Sequence, residues 1–251
     1  MTDRSVLESK VAELLDNFYR RRTEKINDLK LLDTLRRKNP YLYRALGIGK
    51  ATEIVEGILA AYVSSSDETL FGDAFFEPLA KFVSGGAVSP SEGVDVAIET
   101  DDAYRAIAVK SGPSVFNADS RKRQEENFQA LEKRLRKLHK RFEPVVGYCY
   151  GRKQQSQTSK ATFRELAGQA FWEEISGDPD FYLTIMALMQ DRPEQHRAAY
   201  TEAYAAAVNR FTKEFVEQFC HDDGSIDWEK LAQFNSSVPT GRARSAQPTQ
   251  Q

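Results

Sequence analysis

Cysteine is almost missing from this chain of 251 residues: Cys149 and Cys220 are the only two, and they lie far apart. Two thiols so spaced make neither a disulfide framework nor a cysteine zinc site. No apolar run approaches the length that crosses a bilayer, so no membrane partner is expected. The opening residues Thr2-Asp3-Arg4-Ser5 are polar and lead into a charged helical pattern, unlike a secretory leader. The expectation is a soluble cytoplasmic protein. Excess positive charge is lacking too: 35 Lys and Arg stand against 37 Asp and Glu, for a net charge of −2. Nucleic-acid binders usually carry a basic surplus, so the overall balance speaks mildly against that class. A glycine-rich phosphate cradle is also wanting, because Gly47-Ile48-Gly49 is followed by neither a third glycine nor Lys-Ser.

What is there is a chain with 41% hydrophobic residues, enough for a real core and too many for wholesale disorder. Its basic residues cluster: Arg20-Arg21-Arg22, Arg36-Arg37-Lys38, Arg121-Lys122-Arg123, and the run from Lys133 to Arg141. Such clusters are read either as solvated helix faces or as phosphate-contacting ones. Apolar spacing predicts one long helix or two joined over residues 5–35, then a helix over 53–64. Ser64-Ser65-Ser66-Asp67-Glu68-Thr69 has the residue types that cap a further helix through Phe71, Phe75, Phe76 and Leu79. Glu56, Glu68 and Glu77 in this region read as exposed or capping acids. After a connector over 84–90, Val94-Asp95-Val96-Ala97-Ile98 and residues 104–110 form a strand pair around the polar turn Asp101-Asp102. Asp119 or Ser120 is the expected N-cap of a helix to about His139. Residues 144–151, β-branched and aromatic, predict a third buried strand. Helices are expected over 162–175, 182–190, 194–220 and 228–234, with a disordered tail from Ser236. This pattern predicts a mixed α/β or α+β fold, with a short central mixed β-sheet flanked by many helices. The division expected is a single domain over residues 1–235, with helical segments over 1–83 and 154–235 around a core over 84–153, and a tail over 236–251.

The chemistry concentrates at the strand pair. An acid on one strand and a lysine at the end of its partner can converge on one point. A carboxylate there can hold a divalent cation, and a lysine beside it can orient water or stabilise charge on a phosphate. Asp95 and Lys110, separated by fourteen residues, have this relation. The bland alternative is a turn-flanking acid and a surface lysine at a strand end. A single carboxylate is a poor anchor for a divalent cation, which takes several oxygen ligands, and Glu125 and Glu126 on the following helix are candidate further acids. Glu126 is the first choice, although Glu125 lies closer to the face of Phe128; Glu92 and Glu99 flank Asp95. Arg121, Lys122, Arg123, Arg152 and Lys153 flank the same place and suit phosphate contacts, with ordinary surface charge as the alternative.

The Asp95–Lys110 pattern resembles the core of the PD-(D/E)xK nuclease superfamily. Val109-Lys110-Ser111-Gly112-Pro113 with Phe116-Asn117-Ala118-Asp119-Ser120 is similar to a segment of type II restriction endonucleases of the PmeII-like branch. So are Ser64 to Gly72, Gly147-Tyr148-Cys149-Tyr150-Gly151-Arg152, Phe171 to Gly177, and Asp223 to Trp228; together these blocks span about residues 53–235. The resemblance implies a restriction-endonuclease-like core and Mg²⁺-dependent, sequence-specific cleavage of double-stranded DNA that leaves 5′-phosphate ends. Asp95 would bind Mg²⁺ and Lys110 would position or activate water. The superfamily pattern has an acid two residues before its lysine, where this chain has Ala108; Glu126 or Glu125 would supply that missing carboxylate, the Val109 carbonyl would be a further ligand, and Glu68 or Glu92 an additional acid. Ser111 and Asn117 in the matching segment join the basic residues as DNA contacts. A palindromic site implies a homodimer, for which the aromatic stripe over residues 194–220 is an interface candidate, with intramolecular core as the alternative. A DNA methyltransferase of the same system is expected, though not as a stable partner. Two other readings stay open: a structure-specific repair nuclease on the same core, and an inactive DNA-binding protein, for which Ala108 speaks.

Overall fold

The computed structural model describes residues 3–89, 91–153 and 162–238. The described residues divide into two compact units, those within 1–25 and 64–202 and those within 26–63 and 203–251. The first unit holds a five-stranded mixed sheet in the order β1 (Ala87–Val88), β2 (Val96–Glu99), β3 (Ala103–Lys110), β4 (Arg141–Tyr148) and β5 (Arg164–Ala167). The pairs β1–β2 and β2–β3 are antiparallel, and β3–β4 and β4–β5 are parallel. A parallel neighbour needs a crossover, and α6 (Ala118–Leu135) supplies it between β3 and β4. The expected α/β architecture with a short mixed sheet and many helices is what forms.

β3 is buried along most of its length, as a central strand must be. Ile107 and Val109 join a core with α1 (Arg4–Asp28), α5 (Glu77–Ser84), α7 (Gln169–Ser176) and α8 (Phe181–Met189). Ala106 and Ala108 join a second core with Phe128 and Leu131 of α6. The sheet is thus covered on both faces, and β3 ends where side chains from both layers meet.

Several local expectations change. Residues 162–175 divide into β5 and α7 where one helix was expected, because Leu166 and Ala167 are buried beside β4. The serine run caps nothing: α4 (Ala51–Phe71) passes straight through it. Lys25 donates to Ser66 Oγ at 3.1 Å and Arg22 to Asp67 at 2.9 Å, so these side chains serve α1 and leave their own backbone helical. The N-cap of α6 is Asn117 and not Asp119 or Ser120. Its side chain accepts from the Ser120 amide at 2.8 Å, and Ser120 Oγ accepts from the Asn117 amide at 2.9 Å, a reciprocal box.

The second unit is helical: α2 (Leu31–Leu35), α3 (Pro40–Ala45), α10 (Trp228–Ser236) and the adjoining stretches of α1, α4 and α9 (Arg192–Phe219). Its helix ends are tied by side chains. Asn235 donates to the carbonyls of Leu35, Arg36 and Lys38, and Arg210 to those of Ile26, Asn27 and Leu29. The aromatic stripe of α9 is interior here. Phe211, Phe215 and Phe219 are buried and Phe219 packs on Phe234, so these three rings of the stripe are core. From residue 239 the expected tail lies outside the described residues.

Candidate active site

The antiparallel ladder between β2 and β3 stops at Asp95. Its amide still donates to the Ile107 carbonyl at 2.9 Å. The Val109 amide donates instead to Asp95 Oδ2, at 2.7 Å. The carboxylate thus takes over the acceptor role that a backbone carbonyl held one step earlier. That bond fixes its orientation at the strand end. Lys110 Nζ lies 3.6 Å from the same oxygen, and both side chains are partly exposed.

Ala108 is fully buried, in the apolar core with Phe128, Leu131 and Tyr148. A carboxylate there would face hydrocarbon, a costly burial without partners. The further acids that line the cleft beside Asp95 come from the helix running over the end of β3. The cleft has a volume of 690 Å³ and is walled by Glu68, Asp73, Glu77, Asp95, Lys110 and Tyr150 among others. Glu77, which reads from sequence as exposed or capping, is half-buried there. Burial pushes its carboxyl up, and the charges of Asp95 and Asp73 push it further; Lys110 and Lys81 oppose this without cancelling it.

The helix reaches the cleft through one irregular turn. Residues Gly72–Phe76, between α4 and α5, form a π-helical turn. On a regular α-helix Glu68 and Glu77, nine residues apart, would point about 180° from each other. One i→i+5 turn slips the phase by one residue, about 100°, and brings Glu77 within about a quarter turn of Glu68. The turn docks closely on the end of β3: a methyl group on Gly72 would collide with Ser111 Oγ. No sequence period reveals that slip.

Other expected site residues lie elsewhere. Glu125 and Glu126 pair with Arg121 and Lys122 on their own helix, at 3.9 and 4.0 Å, and neither lines the cleft. Glu92 is bound to Arg123 at 2.6 Å and Glu99 to Lys140 at 2.6 Å. Glu68 reaches the cleft and accepts a hydrogen bond from Tyr150 Oη at 3.3 Å. Of the expected DNA contacts, Ser111 lines the cleft and Asn117 is committed to its cap. Arg121 and Lys153 converge on Glu165 of β5, at 2.9 and 2.6 Å, and Tyr148 Oη donates to it at 2.7 Å. Burial pushes the Glu165 carboxyl up, but hydrogen bonds from Arg121, Lys153 and Tyr148 outweigh that and leave it at about 2. Arg152 has no ion-pair partner among the described residues. In the N-terminal basic clusters, Arg20 pairs with Glu24 at 2.8 Å, and Arg22 pairs with Asp67 and stacks on Tyr200 at 3.5 Å.

An acid and a lysine at the end of one strand pair, with further acids delivered by a helix over them, can gather a cation and a phosphate. Comparison with known proteins agrees with that chemistry. The family model described as Type II restriction endonuclease EcoO109I matches residues 5–197, which is most of the chain and contains the whole cleft. No curated protein matches the chain. The sheet, the cleft at its β3 end and this match lead to one assignment: the chain belongs to the EcoO109I family of type II restriction endonucleases.

Proposed function

We propose that the chain is a Mg²⁺-dependent endonuclease that cuts double-stranded DNA at a short defined sequence and leaves 5′-phosphate ends. The observation that carries this reading is the gathering of Asp95, Glu77 and Lys110 in one cleft at the end of β3. Asp95 and Glu77 would hold the cation, with the Val109 carbonyl as a further ligand. The amide and carbonyl of one strand residue point to the same side, and the Val109 amide already points at Asp95. Glu125 and Glu126 are the weaker choice for the second carboxylate, since each is drawn to a cation of its own helix.

The residues suit Mg²⁺. The carboxylates of the cleft outnumber its one lysine, and Asp95 and Asp73 add repulsion to the burial that raises the Glu77 carboxyl, a repulsion that a cation would relieve. Among the described residues, no group of three or more His, Cys, Asp or Glu side chains is placed to hold a metal by itself. Mg²⁺ asks for less, usually one or two carboxylates with water and substrate phosphate completing its shell. Bound there, it supplies Lewis-acid neutralisation of the phosphate charge. Asp95 keeps the Lys110 ammonium at the cleft. Lys110 stabilises the charge that builds on the phosphate oxygens as water bonds to phosphorus and the bond to the 3′-oxygen breaks. The water gives up its proton to solvent, and the 3′-oxygen takes one up.

Arg152 and Ser111 are the first candidates for phosphate contact, with Lys122 and Arg123 behind weak or exposed pairs. A palindromic target calls for a homodimer, so that each strand meets one site. The motif blocks favour the PmeII-like branch and a methyltransferase of the same system, and a cytoplasmic setting is part of the same proposal. Ala108 favours one competing reading, an inactive DNA-binding protein on this fold. Incubating purified protein with unmethylated phage DNA separates the two. Discrete fragments in Mg²⁺, absent in EDTA and in Asp95→Ala and Lys110→Ala, support the nuclease; intact DNA under every condition sinks it.

A further inference from the structure

A second cavity, of 800 Å³, adjoins the acidic cleft, and Phe76 and Tyr150 line both. Its volume lies in the range of sites that enclose small ligands, about 300–1,000 Å³. The lining differs in kind from that of the cleft. Phe71, Phe76, Tyr150, Trp172 and Tyr182 bring aromatic rings, Arg152 brings positive charge, Lys153 is held by Glu165 at 2.6 Å, and among the described residues no acid lines the cavity. Trp172 is fully buried, with its indole N–H donated to the Cys149 carbonyl at 2.8 Å, so this wall is rigid. Tyr150, Tyr182 and Met186 are exposed at its sides.

We propose that this cavity receives a nucleobase rotated out of the duplex beside the scissile phosphate; the inference rests on the nuclease reading of the cleft. Tyr150 stands between the two chambers, and its hydroxyl is held by Glu68 on the cleft side. A nucleotide astride it would place a phosphate by Lys110 and a flat, largely apolar base among the rings. A base still in the stack cannot enter a concave pocket, so it must turn out. Aromatic rings bind any base by its face, and the Arg152 guanidinium at the rim suits the flanking backbone. An apolar segment of a second copy would find the same rings but gains nothing from that rim.

The test uses a duplex carrying the mapped cut site, with 2-aminopurine replacing each flanking purine in turn. It is bound to the full chain in Ca²⁺ in place of Mg²⁺. A severalfold rise in fluorescence at one position is expected. Ala170→Trp, at an exposed position on the cavity wall, should abolish the rise and slow cleavage about tenfold. Tyr182→Ala should reduce the rise without filling the space, which guards against a plug that disturbs folding. Wild-type cleavage with no rise at any position overturns the inference and leaves the nuclease intact. A rise that survives Ala170→Trp places the base elsewhere and also overturns it. Loss of self-association in Ala170→Trp with the rise unchanged gives the cavity to a second copy. A chain that neither binds nor cuts DNA removes the nuclease reading and this one together.

Discussion

Two chambers share Tyr150 and Phe76 and have opposite chemistry. One is lined by four acids and one lysine, the other by aromatic rings and two cations. The acidic chamber opposes a phosphate until a cation is present; the other offers the Arg152 guanidinium, which has no ion-pair partner among the described residues. The contrast explains how a chain of net charge −2 can serve a polyanion. Binding requires positive charge where the strand runs, and several cations are occupied elsewhere. Arg121 and Lys153 are spent on Glu165, and Arg22 on Asp67. Counting basic residues therefore overstates the DNA-facing charge, and counting net charge understates it.

The largest break in the comparison comes from the acidic side. Glu77→Gln removes a candidate cation-holding carboxylate and keeps its shape. Cleavage should fall by about 10²–10³-fold, the range for loss of one electrostatic partner of the reacting centre. DNA binding without divalent ions should hold or tighten, because one repelling charge is gone. Glu125→Gln and Glu126→Gln should cut nearly as the parent does. Single-turnover cleavage of all three variants decides the matter. A dead Glu126→Gln beside an active Glu77→Gln would return the second carboxylate to α6.

The basic side is sharpened by Arg152→Ala. Removing one phosphate contact should weaken binding at low salt and reduce the slope of log Kobs against log salt by about 0.9. Arg121→Ala should leave that slope alone and lower the melting temperature, because its guanidinium is held by Glu165. Titrations at several salt concentrations check both. Equal slopes for the two variants would mean that Arg121 leaves Glu165 when DNA arrives.

Asp95 and Lys110 are legible in the sequence because a strand pair has a fixed period and both sit where two strands end. Glu77 is not, since its place depends on one π turn that shifts helical phase by about 100°. Ala108 reads as a defect only until its surroundings are seen; the packing of Phe128 and Tyr148 around it explains why an acid is unsuited there. β5 escaped because Arg-Glu-Leu-Ala has no β-branched residue, and strand preference is largely a matter of what a residue packs on. The serine run of α4 misleads for the opposite reason: local capping signals are strong, but contacts from Arg22 and Lys25 use the side chains first.

The smallest effect concerns the junction that holds the loop shared by the two chambers. Lys153 follows Tyr150 and Arg152 closely, and Glu165 anchors it together with Arg121 and Tyr148. In the folded chain the Glu165 carboxyl sits at about 2, below its ordinary value of 4.5. Folding therefore favours the ionised form. The stability it contributes is complete above the ordinary value and is lost as pH falls from there towards about 2. Glu165→Gln keeps the shape and removes the charge. Near neutral pH it should melt roughly 2–4 °C below the parent, the shift that about 1 kcal/mol produces in a chain of this size. The gap should close as pH drops below 4.5, because the parent then loses what the variant never had. Melting curves of both proteins across that window check it, and a gap independent of pH would mean that packing, not charge, makes the junction.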